Sequence, residues 1–148
     1  MKKMVFGVLL VGLAANVGLG APATTGGTIQ LSLGGNLIML KTTYEDDSYT
    51  LGGAVVRVDF NLGRSISLAP ELSGGFGGAS GGATLNLRAG RYFAGAGALA
   101  VSGLDDEWGV QTLLKVHAGF KGPRALLAAA FLTNRWFKGF GLTVAYVF

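Results

Sequence analysis

The sequence contains no cysteine, and this absence excludes disulfide bonds, thiolate nucleophiles and cysteine-based zinc sites. Charge is also scarce, since 14% of the 148 residues are charged, against roughly 25% in an average soluble protein. Half of the residues are apolar. A chain of this length forms one domain, and its shortage of charge indicates that much of its exterior does not face water.

Proline is rare and glycine is dense, with three and 26 residues respectively. Glycine at this density fits strands whose side chains crowd a narrow interior, or flexible linkers. The net charge of +4 falls to about +2 if Lys2 and Lys3 are removed with a leader segment. The remaining basic residues fall singly at segment ends rather than on one clustered face, so we expect no nucleic-acid partner.

The first 23 residues have the pattern of a secretory signal peptide. A basic start at Lys2 and Lys3 precedes an apolar stretch over residues 4–19, and residues 21–23 supply a small-x-small cleavage pattern. We therefore expect cleavage before Thr24, which leaves residues 24–148 as the exported domain. No later apolar run approaches the ~18 residues of a spanning helix, so this domain could cross a membrane only as strands.

From residue 28 onward the apolar residues recur with a period of two, which is typical of strands. The last segment shows this best, with Phe140, Leu142, Val144, Tyr146 and Phe148 on one face and Gly139, Gly141, Thr143, Ala145 and Val147 on the other. Five earlier segments alternate in the same way, and two more, around 91–102 and 124–132, are alanine-rich with undetermined facing. Eight strands of about ten residues predict an all-β, antiparallel, up-and-down transmembrane barrel.

The connections fall into two sets. Residues 61–64, 89–90 and 121–123 read as tight turns, which we place on the periplasmic side. Residues 41–48, 77–82, 103–107 and 133–135 form the opposite, extracellular end, and the glycine-rich stretch 74–82 reads as a flexible outer loop. Pro70 interrupts the third strand, where we expect a bulge.

Alternation alone fits either a membrane barrel or a secreted soluble barrel that binds an apolar ligand inside. Two features favour the membrane barrel. The polar face is rich in glycine, serine, threonine and alanine, which suits a cramped lumen better than a water-facing surface. Aromatic residues lie near segment ends, as expected for an interfacial girdle: Tyr49, Phe60, Tyr92, Trp108, Phe120, Trp136, Phe140 and Phe148.

The last strand also carries a terminal signal. Phe148 is preceded two residues earlier by Tyr146, and Val144, Leu142 and Phe140 continue the alternation. In this respect the sequence resembles the small OmpA/OmpX-type outer-membrane barrel family, over residues 26–148. The resemblance implies a place in the cell outer membrane of a Gram-negative bacterium. It also implies contact with outer-membrane lipid and lipopolysaccharide, and recognition of Tyr146 and Phe148 by the outer-membrane assembly machinery.

A set of polar residues is expected to face the lumen: Arg57, Asp59, Glu71, Arg88, Lys115 and His117. Enclosed charges are costly unless they pair, so we expect Glu71 to accept hydrogen bonds from Arg57 or Lys115. This network would either plug the lumen or rearrange as the gate of a narrow pore. His117 lies near the periplasmic end, away from where barrel enzymes that modify lipids keep their catalytic groups, which favours a lumen hydrogen-bonding role.

Two acidic clusters lie in the predicted extracellular loops: Glu45, Asp46 and Asp47, and Asp105, Asp106 and Glu107. They could hold divalent cations that bridge to lipopolysaccharide phosphates, or they are solvated loop tips. Neither cluster has the spacing of a calcium-binding loop, and we expect no bound metal, no cofactor and no enzymatic activity. The function expected is a structural or surface-interaction role, with a narrow pore or a lipid-modifying enzyme as alternatives; the oligomeric state is left open.

Overall fold

The computed structural model describes residues 29–44, 46–104 and 108–148. They form a closed barrel of eight antiparallel strands in sequence order, in which β1 pairs with both β2 and β8. The strands are β1 (Ile29–Thr42), β2 (Ser48–Asn61), β3 (Ile66–Phe76), β4 (Gly78–Ala89), β5 (Tyr92–Ser102), β6 (Gln111–Lys121), β7 (Ala125–Thr133) and β8 (Phe137–Val147). The predicted architecture is confirmed. The predicted signal peptide lies outside the described residues.

Side chains alternate between the lumen and the exterior because successive residues of a strand point to opposite faces. On β8, Phe140, Leu142 and Val144 are more than half exposed, while Ala145 and Val147 are buried. The same rule shows which residues of the two alanine-rich strands, β5 and β7, face inward. Leu99 and Val101 of β5 and Leu126, Ala128 and Leu132 of β7 face inward.

The barrel has two unlike ends. The turn end carries the connections at residues 62–65, 90–91 and 122–124, and the loop end carries those at residues 43–47, 77, 103–110 and 134–136. The described part of the chain contains no helix long and apolar enough to cross a membrane.

The glycine-rich stretch 74–82 is not the flexible loop that the sequence predicts. Gly74 pairs with Ala79 and Gly75 with Gly78, so both strands continue to a connection at Gly77. Gly77 and Gly78 have φ of +77° and +146°, a region that favours glycine. A side chain at Gly77 would meet the carbonyl oxygen of Thr50 on the neighbouring β2. Glycine here permits close packing at the loop end.

Pro70 lies in β3 without the expected bulge. The strand β3 pairs with β2 on both sides of Pro70, with Arg57 opposite Glu71 and Phe60 opposite Leu68. The register is the same on each side. No residue is therefore inserted, and the ladder is interrupted locally because proline has no N–H to donate. Pairing with β4 continues through Pro70, which lies opposite Ala83.

The loop end of the lumen is apolar, where the sequence suggested small and polar side chains. A cluster of side chains no more than 5% exposed fills it, and we call this the loop-end cluster: Ile38, Leu40, Leu51, Leu99, Val101, Leu104, Leu113, Leu132 and Phe137. Tyr49 and Trp108 pack against it, so their assignment to the outer girdle is wrong. Tyr49 shares the inward face of Leu51, and Trp108 lies before β6 begins at Gln111.

The depth of an outward-facing residue in the bilayer predicts how well the barrel tolerates a positive charge introduced there. Leu142, in the middle of β8, is 52% exposed, whereas Thr133 ends β7 at the loop end beside Lys138. We expect Leu142→Arg to lower the free energy of unfolding by about 2–4 kcal/mol and Thr133→Arg by about 0–1 kcal/mol, because the cost of a cation depends on its depth in the bilayer. Urea unfolding in lipid vesicles, followed by gel mobility without boiling, measures both. Equal effects of the two substitutions would contradict a lipid-facing exterior.

Candidate functional site

Five of the buried ionisable residues of the lumen come from alternate positions of three strands. Arg57 and Asp59 lie on β2, Glu71 lies on β3, and Lys115 and His117 lie on β6. All are at most 8% exposed. They face inward because each keeps the parity of the buried apolar residues on its own strand, such as Leu51 and Leu113.

These charges form a chain of ion pairs across the barrel. Lys121 donates to Asp59, with Nζ 2.6 Å from Oδ2, and Arg57 donates to the other oxygen of Asp59 at 3.1 Å. Arg57 also lies 3.9 Å from Glu71 Oε2, and Glu71 accepts a hydrogen bond from Lys115. We call the run Lys121–Asp59–Arg57–Glu71–Lys115 the lumen ion chain. It joins β6 to β2 and β3, which are not its neighbours in the sheet, and so braces the barrel across its width.

Lys121 is the member that sequence reasoning missed. It follows the alternation of β6, two positions after Gly119 on the inward face, but the sequence pattern places it in the turn over residues 121–123. A lysine side chain is long enough for its amine to reach a buried partner while its stem follows the strand. The inward parity of Lys121 was the signal that could have identified it.

Arg88 stands apart from the lumen ion chain. Its guanidinium donates to Asn61 Oδ1 at 2.7 Å and to Gln30 Oε1 at 3.4 Å, which are neutral acceptors on β2 and β1. In the described ranges no carboxylate lies within 4.0 Å of its nitrogen atoms. The guanidinium group of Arg88 is therefore hydrogen-bonded, but no carboxylate neutralises its positive charge.

The side chain of His117 forms a hydrogen bond with Asn86 across the glycine of the strand that lies between them. Asn86 of β4, Gly95 of β5 and His117 of β6 are direct cross-strand neighbours, and His117 Nε2 lies 2.5 Å from Asn86 Oδ1. A Cβ at Gly95 would overlap Asn86 Oδ1 and lie 2.9 Å from His117 Nε2. Glycine at this position is what allows the two side chains to meet.

The surroundings of His117 contain no catalytic arrangement within the described residues. Its hydrogen-bond partner is Asn86, and its ring packs edge-on against Phe93 with centroids 5.4 Å apart. Of the lumen serines, Ser73 and Ser80 bond elsewhere, with Asn36 Nδ2 donating to Ser73 Oγ at 2.9 Å and Ser73 Oγ lying 2.7 Å from Ser80 Oγ. The hydroxyl oxygens of Ser32 and Ser67 have no hydrogen-bond partner in the described part of the chain. A serine nucleophile needs a base within hydrogen-bond reach, and His117 has no serine among its partners.

Of the two predicted acidic clusters, the structure describes only Asp46 and Asp47. Asp46 is fully exposed and pairs with Lys41 at 3.0 Å. Glu45 and the whole second cluster, Asp105, Asp106 and Glu107, lie outside the described residues. Elsewhere no group of three or more potential metal-binding side chains is found among the described positions.

Tyr146 and Phe148 face outward at the turn end. Their rings are edge-on with centroids 4.9 Å apart, and they are 48% and 50% exposed. The pair is therefore accessible to a partner from the membrane side. Recognition of these two residues by the assembly machinery stays a prediction.

No family model and no curated protein sequence matches the chain. A de novo designed transmembrane β-barrel matches it in structure, with a TM-score of 0.51 and 10% identity over 80% of this chain and 95% of that one. The shared fold is a transmembrane β-barrel. At 10% identity the likeness concerns the fold alone.

Two natural barrels match at lower scores. The N-terminal β-barrel domain of OprF from Pseudomonas aeruginosa has a TM-score of 0.48 and 14% identity over 80% of this chain and 97% of that one. The second is Ail, the attachment invasion locus protein of Yersinia pestis, solved in complex with the heparin analogue sucrose octasulfate. It has a TM-score of 0.48 and 13% identity over 81% of this chain and 97% of that one.

The glycine between Asn86 and His117 gives a matched test of lumen packing. We expect Gly95→Ala to lower the free energy of unfolding by about 1–3 kcal/mol, because the new methyl group overlaps the Asn86 amide oxygen. Gly141→Ala, also facing inward, should change it by less than about 0.5 kcal/mol, since a Cβ there would meet its nearest atoms at 3.7 Å. Urea unfolding in vesicles compares the two variants. A larger loss for Gly141→Ala would contradict the described contact across Gly95.

Proposed function

We propose that the chain is an integral protein of the bacterial outer membrane with a structural and surface-interaction role, and that its lumen is plugged. The observation that carries this proposal is the filling of the lumen along its length. The loop-end cluster occupies one end, the lumen ion chain lies further along, and a second buried apolar group lies towards the turn end. An eight-stranded barrel has an interior just wide enough for side chains to fill.

The exterior supports a membrane location. Large apolar side chains that face outward on several strands are more than 40% exposed, including Leu72, Leu85, Leu114, Phe131 and Phe140. Such a surface would cause the protein to associate with other molecules in water, whereas it is compatible with contact to the apolar chains of lipids. Outward-facing charge in the strands is found at the loop end, where Lys41 and Lys138 are neighbours on β1 and β8.

The loop end supplies the surface-interaction part of the proposal. Tyr44 is 70% exposed and packs edge-on against Trp136, and the guanidinium of Arg135 lies 4.9 Å from the centre of the Trp136 ring. Cations beside exposed aromatic rings at a membrane boundary suit contact with the phosphates and sugars of lipopolysaccharide. With the loop end outside the cell, these residues would lie beside the lipopolysaccharide layer.

The role proposed is not enzymatic. His117 is 3% exposed, bonds to an amide oxygen, and is separated from lipid by the barrel wall. A lipid-modifying enzyme needs its base and nucleophile within reach of the lipid ester. The filled lumen likewise argues against a conduit, and the narrow-pore alternative would require the loop-end cluster to move.

Single-channel recording in planar bilayers tests the plug. We expect negligible conductance for the native protein and for Glu71→Ala, because the loop-end cluster stays in place when the lumen ion chain is broken. Phe137→Ala should produce openings, since Phe137 is fully buried in that cluster. Phe140→Ala, on the outward face of the same strand and 63% exposed, is the matched control and should stay closed.

Two results would contradict the plug. Steady conductance of the native protein would establish a pore. Openings with Glu71→Ala but not with Phe137→Ala would make the ion chain a gate and remove the loop-end cluster as the barrier.

A further inference from the structure

Positive charge is concentrated at the turn end of the barrel. Of the eight acidic residues in the sequence, Asp59 and Glu71 lie inside the barrel, and the others belong to the two acidic clusters at residues 45–47 and 105–107 of the sequence. The turn end carries five basic residues: Arg64, Arg88, Arg91, Lys121 and Arg124. Within the described part of the chain, no acidic side chain lies on the surface of the turn end.

The interior is also richer in cations than in anions. Arg57, Arg88, Lys115 and Lys121 carry four positive charges against the two carboxylates of Asp59 and Glu71. Asp59 is shared between Arg57 and Lys121, and Glu71 between Arg57 and Lys115, which leaves Arg88 without a carboxylate. Excess charge in a confined, partly buried space is costly unless a counter-charge approaches it.

A cavity of about 150 Å³ opens beside Arg88. Arg88, Arg91 and Lys121 line it together with Gln30, and Phe93 forms part of its wall. We call it the turn-end basic pocket. Its volume corresponds to roughly five water molecules at ~30 Å³ each, which is room enough for a phosphate group.

The donors in the pocket suit a tetrahedral oxyanion. Guanidinium groups present planar forks of N–H donors that match phosphate oxygens, and a lysine amine adds a point charge. Arg91 lies in the β4–β5 turn, and no described carboxylate is within 4.0 Å of it. Its main-chain oxygen accepts from the Lys121 N–H at 2.7 Å, which holds the turn beside the end of β6.

The pocket lies at the boundary of the apolar exterior. Tyr92 lines it and is 69% exposed, and its ring packs edge-on against Phe120 with centroids 5.9 Å apart. Aromatic pairs of this kind mark the level of lipid headgroups on transmembrane barrels. A phosphate at the depth of the Tyr92 ring therefore belongs most simply to a lipid.

We propose that the turn-end basic pocket binds a phosphate group, supplied by the headgroup of a membrane phospholipid. The lipid as the source rests on the proposed membrane location, whereas the anion site rests on Arg88, Arg91 and Lys121 alone. Bound phosphate would neutralise the excess charge of the lumen and fix the turn end at the headgroup level.

Nuclear magnetic resonance of the full chain in maltoside micelles tests the site, since phosphocholine detergents would themselves supply phosphate. Inorganic phosphate and dihexanoylphosphatidylglycerol are titrated separately, with sodium chloride as the ionic-strength control. We expect both to cause saturable shifts of the Gly90 and Gly122 amides, which border the pocket. The amide of Gly103, in the loop end, should not move.

Two arginine variants separate a built site from diffuse charge. Arg91→Gln should raise the apparent Kd for either probe by about tenfold, as expected for one charge-assisted contact. Arg124→Gln, a turn-end arginine that does not line the pocket, should change it by less than about twofold. Gel mobility with and without boiling checks that each variant is folded.

The outcomes distinguish the parts of the proposal. Absence of saturable shifts with both probes, or equal losses for Arg91→Gln and Arg124→Gln, would overturn the site. Saturation with inorganic phosphate but not with the phospholipid would overturn the lipid as its source. Failure of the folded chain to insert into vesicles would contradict the proposed function, whatever the phosphate titration shows.

Discussion

In a lipid bilayer an unpaired backbone N–H or C=O has no water to bond to, so a sheet can cross only if its two edges pair with each other. Here β1 and β8 pair from Ser32 opposite Val147 to Thr42 opposite Phe137. Closure leaves no free edge in the barrel. Because only eight strands close it, the space inside is narrow, and this limit determines which side chains the inward positions can hold.

The filling of the lumen follows from that limit. Where two long side chains must meet, the strand between them carries glycine, as Gly95 does between Asn86 and His117. Where charges are enclosed, they pair both along a strand, as Arg57 does with Asp59, and across the barrel, as Lys115 does with Glu71. Where the loop end is reached, apolar side chains such as Phe137 pack together inside the barrel. The lumen thus changes from apolar at the loop end to a mixture of cations and apolar side chains at the turn end.

Much of the fold could be predicted because one physical rule, the alternation of facing along a strand, acts on every residue with a side chain. The prediction failed in places where the sequence shows no clear alternation of side chains or where the alternation was not used. Gly74 to Gly82 carries almost no side-chain pattern, so two paired strand ends looked like a loop. Tyr49 was assigned by its position near a strand end, although its parity with Leu51 places it inside. For Pro70, the missing donor was correctly expected to disturb the ladder, but the undisturbed register on both sides could be known only from the paired strands.

The site was less predictable than the fold. Inward parity identified Arg57, Asp59, Glu71 and Lys115 as lumen residues, but which cation pairs with which carboxylate depends on barrel geometry that no single strand encodes. Lys121 reaches Asp59 from the last position of β6. The turn-end basic pocket depends on bringing Gln30 of β1 beside Arg88 and Arg91, which lie some sixty residues later in the sequence.

The central claim is that the apolar face of this barrel points into lipid and the polar face into the lumen. Because the chain has no cysteine, single cysteines can be introduced along β8 at Leu142, Thr143, Val144 and Ala145 and labelled with an environment-sensitive fluorophore before folding into vesicles. Quenching by nitroxide-labelled lipid should alternate, strong at 142 and 144 and weak at 143 and 145. Strong quenching at 143 and 145 with protection at 142 and 144, or uniform quenching by a water-soluble agent at all four positions, would contradict the account.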